Sequence, residues 1–189
     1  MESRFEAPGS GEYRAFIEQN LLKERTILLF GGINQEIAQT VTEKLMYLSS
    51  VSDDDIKIFI NSQGGHVESG DTIFDMIRYV KPKVNVVGTG WVASAGALIF
   101  CAPPVAQRFS LPNTRFMIHQ PAGGASGSAS DIAIEAGEII KMRRRLNETI
   151  AKQCGKPVEI VEKDSERNHW MSAVEGINYG LVGKIIESE

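Results

Sequence analysis

Ser94 sits in Gly-Thr-Gly-Trp-Val-Ala-Ser-Ala-Gly-Ala, residues 88–97, where a β-rich run ending at Val87 gives way through a glycine-bracketed turn to an Ala-rich segment. Ala93, Ala95 and Gly96 are too small to crowd its hydroxyl. The free backbone N–H groups of a starting helix would face a developing negative charge. Such a setting presents a nucleophile, although a small-residue turn before a helix also serves close helix–sheet packing. The full G-x-S-x-G elbow is absent, since Val92 stands at its first glycine. The second residue with chemistry is His119, at the end of the apolar run Arg115-Phe-Met-Ile and just before Gln120-Pro121. It is one of three histidines; His66 lies in a Gly-rich turn and His169 beside Trp170. A serine at a helix start and a histidine at a strand end, in consecutive β–α units, can meet at one edge of a sheet, where the imidazole takes the hydroxyl proton.

The elements that must position this pair follow from periodicity. Residues 1–14 are polar, with Pro8, Gly9 and Gly11, and read as a flexible arm; residues 15–189 read as a single domain. Thr26 to Phe30 is a short β-type run closed by Gly31-Gly32, after which Ile33, Ile37, Val41, Leu45 and Leu48 fall at helical spacing. Ile56 to Ile60 forms a strand that stops at Asn61-Ser-Gln-Gly-Gly65. Val67, Gly70, Ile73, Phe74 and Ile77 line a helix ended by Pro82. Val84 to Val87 is a strand, and the Ser94 helix runs to Pro103-Pro104. This alternation predicts an α/β fold of mainly parallel strands, whose ligand sites lie beyond the carboxyl ends of the strands. Gly64-Gly65, Ser94 and His119 all fall at such ends. Beyond the glycine–serine stretch 123–128, a helix from about Ser130 to Gln153 carries Ile132, Ala136, Ile139, Leu146 and Ile150 on one face. It is long enough to project from a small domain and to invite a partner subunit. Pro157 opens a short helix through Asp164, and Ser172-Ala-Val-Glu175 has capping-box spacing.

Composition narrows the class. The 189 residues are 42% hydrophobic and 23% charged, as in ordinary soluble globular proteins. A net charge of −4 offers nothing to a phosphate backbone, and Arg143-Arg144-Arg145 reads as a solvated helix face, so no nucleic acid is expected. The two cysteines, Cys101 and Cys154, match no metal-ligand spacing and make no disulfide framework, which points to a reducing compartment. No charged-then-apolar leader opens the chain and no apolar run approaches membrane-spanning length, so the expected location is cytoplasmic.

The stretches Phe-Ile-Asn-Ser-Gln-Gly-Gly (59–65), Ala-Ser-Ala-Gly (93–96), Arg-Phe-Ser-Leu-Pro-Asn (108–113), Met-Ile-His-Gln-Pro-Ala-Gly-Gly (117–124) and Ser-Glu-Arg-Asn-His-Trp-Met-Ser-Ala (165–173) resemble ClpP, the proteolytic subunit of the Clp protease. The resemblance runs from about Leu21 to Ile186. It implies a crotonase-like spiral of β–β–α units, two stacked seven-membered rings joined by the long helix as a handle, and a chamber fed with unfolded polypeptide by a separate AAA+ unfoldase. No cofactor is implied, because ATP would be used by that partner. Gly155-Lys156 is followed by Pro157 and makes no phosphate loop. Position by position, the family's nucleophile falls on Ser94, its general base on His119, and its oxyanion-hole amides on Gly65 and Ala95.

Three stretches depart from that pattern. The third triad residue, an aspartate in the family, is Asn168 here; an amide can orient the imidazole but brings no charge to the imidazolium. Asp164, Glu166 and Asp131 are alternative carboxylates, each expected on a solvated face. Gln63 replaces the proline of Asn-Ser-Pro-Gly-Gly, which frees the backbone before the oxyanion glycine and predicts a looser loop. The arm before Tyr13 lacks the family's apolar pore-lining start. The expected function is therefore that of a serine endopeptidase of low intrinsic activity. The alternatives are a largely structural subunit in a mixed ring with a second ClpP paralogue, and a crotonase-fold enzyme acting on a coenzyme A thioester.

Overall fold

Three successive strand–helix units build the frame that carries the serine. The computed structural model describes residues 10–121, 123–124 and 126–188. β1 spans Thr26–Ile33, α2 Gln35–Val51, β2 Ile56–Gly65, α3 Val67–Tyr79, β3 Val84–Ala93 and α4 Ala95–Phe100, all preceded by α1, Ser10–Lys23. In β2, Ile56, Ile58 and Ile60 alternate into the core with a period of two, while on α2 the buried positions Ala38, Val41, Leu45 and Leu48 recur at helical spacing. Each such isoleucine or leucine contributes about 1.5–3 kcal/mol by leaving water. Ile33 belongs to β1 rather than to the helix, because Asn34 caps α2 by accepting the Ile37 N–H at 2.9 Å.

The expected flexible arm differs in part. Residues 1–9 lie outside the described residues, and residues 10–14 are already helical as the first turns of α1. Glu12 in the first turn and Lys23 in the last suit the helix dipole, and Leu22 rests on the core. No apolar stripe announces this helix in the sequence.

β4 (Arg108–Ser110), β5 (Arg115–Ile118), α5 (Ala129–Cys154), α6 (Val158–Asp164), β6 (His169–Ser172), α7 (Ala173–Tyr179) and β7 (Lys184–Ile185) complete the order, with a 3-10 turn over Val105–Gln107 before β4. The sheet runs β1-β2-β3-β4-β7 with every neighbour parallel; β5 pairs parallel with the second half of β3, and β6 pairs antiparallel with β5. The first strands do not end at their glycines as the sequence suggests. Register shifts between Phe30 and Gly32 and between Ile60 and Ser62 bend them instead, so each continues as a second short strand segment before its helix. That is the β–β–α unit expected from the sequence, in an α/β fold built on a mainly parallel sheet.

α5 is capped by a Ser128–Asp131 capping box and closed by Gly155 at φ +64. Of its residues only Asn147, Ile150 and Ala151 are buried, so its N-terminal half stands away from the core. The arginine run divides: Arg144 meets Glu148 at 2.8 Å, and Arg145 meets Asp71 of α3 at 2.7 Å.

Arg108 is 1% exposed and is neutralised without a carboxylate among the described residues. Its Nε donates to the Pro103 carbonyl at 2.7 Å, Nη1 to the carbonyls of Gln153 at 3.0 Å and Gly180 at 3.4 Å, and Nη2 to Gln153 Oε1 at 3.0 Å. Gln153 and Gly180 lie at the C-terminal ends of α5 and α7, where the helix dipoles concentrate negative charge.

Candidate active site

The pairing of β3 with β5 brings the two reactive side chains together. Ala93 faces Met117 in the parallel ladder, and the Ser94 N–H extends it by donating to the Met117 carbonyl at 2.9 Å. Ser94 and His119 therefore leave adjacent strands at the same edge. Ser94 Oγ lies 2.8 Å from His119 Nε2, the distance of a hydroxyl–imidazole hydrogen bond. With the ring proton on Nδ1, Nε2 accepts from the serine.

Ser94 holds φ 57 and ψ −123, a backbone that costs a non-glycine residue about 1–3 kcal/mol and recurs at active sites. The turn lifts the side chain out between β3 and α4. Its neighbours are glycines for a steric reason: a β-carbon on Gly64 would lie 2.6 Å from Ser94 Cβ, and one on Gly65, at φ +153, would lie 2.2 Å from the Ile33 carbonyl oxygen. Ala95 opens α4, so its N–H has no acceptor within that helix. Gly64 thus lies against Ser94, with Gly65 following it on β2 and Ala95 following the serine into α4.

Burial pushes the pKa of His119 below its ordinary value, which keeps the ring neutral and able to accept a proton at neutral pH. Val67, Leu98, Ile118, Pro121, Leu146 and Ile150 close an apolar niche beside the pair, of only about 20 Å³. That is room for roughly one water molecule.

Asn168 reaches the same place without completing a triad. Ile118 pairs with His169, and Gln120 is bound to the preceding loop by its N–H to the Ser165 carbonyl at 2.6 Å and its Nε2 to the Glu166 carbonyl at 2.8 Å. Asn168 and His119 accordingly line one open cleft of about 550 Å³. Among the described residues none hydrogen-bonds His119 Nδ1, and Asn168 is exposed. None of the three alternative carboxylates takes its place: Asp164 accepts from Tyr179 Oη at 3.0 Å, Asp131 belongs to the α5 capping box, and Glu166 is exposed.

The loop at Gln63 is not loose. Its carboxamide, turned so that both ends are satisfied, donates from Nε2 to the Gly31 carbonyl at 3.3 Å and accepts the Gly32 N–H on Oε1 at 3.2 Å. A second support is not evident from the sequence: Arg115 stands 4.3 Å over the Trp170 ring, and Trp91 lies parallel to Trp170 with centroids 6.5 Å apart, bracing the strands that carry Ser94, His119 and Asn168. Only the polar–aromatic character of Trp91, Arg115 and Trp170 could have hinted at it.

Known proteins share this sequence pattern and this fold. A sequence model described as Clp protease matches residues 9–189. The ATP-dependent Clp protease proteolytic subunit 3 of Rhizobium etli is 56% identical over 172 residues, covering 91% of this chain and 89% of the relative. Proteolytic subunit 2 of Gluconobacter oxydans is 57% identical over 174 residues, covering 91% of this chain and 78% of the relative. Among solved structures, ClpP1 from Listeria monocytogenes superposes with a TM-score of 0.83 at 54% identity, over 92% of this chain and 97% of that one. An asparagine-to-aspartate mutant of the same protein gives a TM-score of 0.86, with the same identity and coverage. A match over nearly the whole length, at more than half identity and on the same fold, places this chain in the Clp protease family as a ClpP-type proteolytic subunit.

Proposed function

We propose that this chain is the serine endopeptidase subunit of a particle of two stacked seven-membered rings, working in the cytoplasm on polypeptide unfolded and delivered by a separate AAA+ ATPase. ATP is consumed by that partner, and the subunit itself uses no cofactor. The observation that carries this reading is the 2.8 Å contact between Ser94 Oγ and His119 Nε2 at a strained strand-to-helix turn. Neutral His119 takes the Ser94 proton as the oxygen attacks a peptide carbonyl. The N–H groups of Gly65 and Ala95 stabilise the tetrahedral oxyanion, His119 returns the proton to the leaving amine, and water then releases the acyl-enzyme.

The subunit is weakly active by itself. Asn168 leaves Nδ1 of His119 unheld, and the side niche of about 20 Å³ must widen before a substrate side chain enters. The same two observations favour a second reading, in which a paralogous subunit in a mixed ring orders this site or supplies the cleavage. The numbered names of the relatives, subunits 2 and 3, fit organisms with more than one such chain.

Intact-mass measurement after fluorophosphonate treatment tests the first reading. One adduct is expected on the wild-type chain and none on Ser94→Ala; a full adduct on Ser94→Ala overturns it, and no adduct on the wild-type chain reopens the thioester alternative. Native mass spectrometry with peptide cleavage, on the chain alone and with a paralogue, decides between the self-sufficient and the mixed ring.

A further inference from the structure

Beyond the bend in β1 and β2, Gly32 stands opposite Gly64 and Ile33 opposite Gly65. Two side chains of β2 reinforce the junction there. Ser62, completely buried, donates from Oγ to the Gly31 carbonyl at 2.6 Å and accepts the Gly64 N–H at 3.0 Å. A β-carbon on Gly96 would meet Ser62 Cβ and the Ser62 carbonyl oxygen at 3.2 Å each, so the same serine is also seated against α4, the helix that begins beside the nucleophile. Gln63 adds its two bonds to the Gly31–Gly32 peptide, and the Gly31 carbonyl, with two lone pairs, takes both donors.

The residues that follow, Gly64 at φ +96 and Gly65 at φ +153, have no side chains to hold them. Glycine is the residue whose backbone has the most freedom to lose, so its position rests on what fixes the residues beside it. We propose that Ser62 and Gln63 are positioning residues that tie the Gly64–Gly65 backbone to β1 and so set where the Gly65 N–H stands relative to Ser94. Neither touches reacting atoms. The inference rests on the reading of Gly65 as an oxyanion donor, and it assigns to Gln63 the restraint that a proline would otherwise impose through φ. Ser62 is the stronger half, since its bonds are buried whereas Gln63 competes with water.

The test follows turnover of a peptidyl p-nitrophenyl ester by the assembled protein. Losing one oxyanion donor outright costs about 10²–10³ in kcat, and a displaced donor costs less. Ser62→Ala should lower kcat about tenfold and Gln63→Ala about threefold, with KM and assembly unchanged; the thermal midpoint should stay in place for Gln63→Ala and fall for Ser62→Ala, which loses two buried hydrogen bonds. Gln63→Glu gives a signature that a merely structural role would not. Its carboxyl can donate to the Gly31 carbonyl only when protonated, so its kcat relative to wild type should fall from near unity at about pH 3 to roughly a third by about pH 6, through the ordinary glutamate range. Wild-type kcat in Ser62→Ala, or a flat Gln63→Glu ratio, overturns the proposal. If Ser62→Ala fails to fold, the pH dependence of the exposed and nearly isosteric Gln63→Glu decides the question by itself. A wild-type chain that never acylates at Ser94 would remove the peptidase reading and this inference together, whereas normal acylation with a flat ratio removes this inference alone.

Discussion

Gly64 lies directly against Ser94: a β-carbon at position 64 would stand 2.6 Å from Ser94 Cβ, 3.0 Å from Ser94 Oγ and 2.8 Å from the Ala93 carbonyl oxygen. Backbone and nucleophile must both shift to admit even a methyl group, and the φ of +96 adds about 1–2 kcal/mol of strain for any other residue. Gly64→Ala should therefore lower the rate of Ser94 labelling by about a hundredfold, the scale of a lost oxyanion donor. The thermal midpoint should fall by only a few degrees. Labelling at the wild-type rate would show that this approach is irrelevant to the chemistry.

Acidification acts through His119. Burial holds its pKa below the ordinary 6.5, so activity should be full at neutral pH and fall as pH drops through that lowered value. Stability has the same sign. Between the lowered value and 6.5 the unfolded chain binds the proton that the folded site refuses. Stability thus rises with pH across that window and is flat in this respect above it. A kcat/KM profile whose acid limb lies at or above 6.5 would contradict the burial argument.

Asn168→Asp should raise turnover without altering the fold, because asparagine and aspartate are nearly isosteric and position 168 is exposed. A carboxylate there can accept a hydrogen bond from the Nδ1–H of His119 and stabilise the imidazolium, a role whose loss costs roughly 10⁴ in serine proteases of another fold. The present cleft shows no such bond, so the gain depends on a small approach of the Asn168 loop and should fall short of that figure. The acid limb of the pH profile should also move upward, since a nearby negative charge favours the protonated ring. No change in either readout, at equal assembly, would turn attention to the closed niche beside Ser94.

Ile134 and Ile140 of α5 are 63% and 68% exposed, on a helix half that touches little of its own subunit. If this helix joins two rings, Ile134→Glu together with Ile140→Glu should leave single rings in sedimentation. Unfolding of the subunit should change by less than about 0.5 kcal/mol, as for surface substitutions. A full double-ring particle after both changes would exclude α5 as the junction.

How far the sequence foretold these features depends on how local their causes are. The Ser94–His119 contact was legible because both residues follow β-runs, and parallel neighbours place such residues at one edge. The lengths of β1, β2 and β3 were not: Gly31-Gly32, Asn61–Gly65 and Gly88–Trp91 read as strand ends, whereas register shifts carry the strands through them. β6, β7 and α1 went unnoticed, being too short or without apolar periodicity. Gln63 read as a loosened backbone because its partners, Gly31 and Gly32, are neighbours only after β1 and β2 pair. The missing bond between Asn168 and His119 is a matter of a loop's approach, which residue types do not encode.

Arg108 ties together segments that the chain delivers at very different moments. Its carbonyl partners Pro103, Gln153 and Gly180 come from three stretches of the chain, and the last of them follows α7. Closing contacts 45 and 72 residues apart costs chain entropy before the bonds repay it, so the cluster is expected to form after the folding barrier is crossed. Weakening it, as in Arg108→Lys, should then leave the refolding rate almost untouched and quicken unfolding, so that the guanidinium acts mainly as a brake on escape from the folded state.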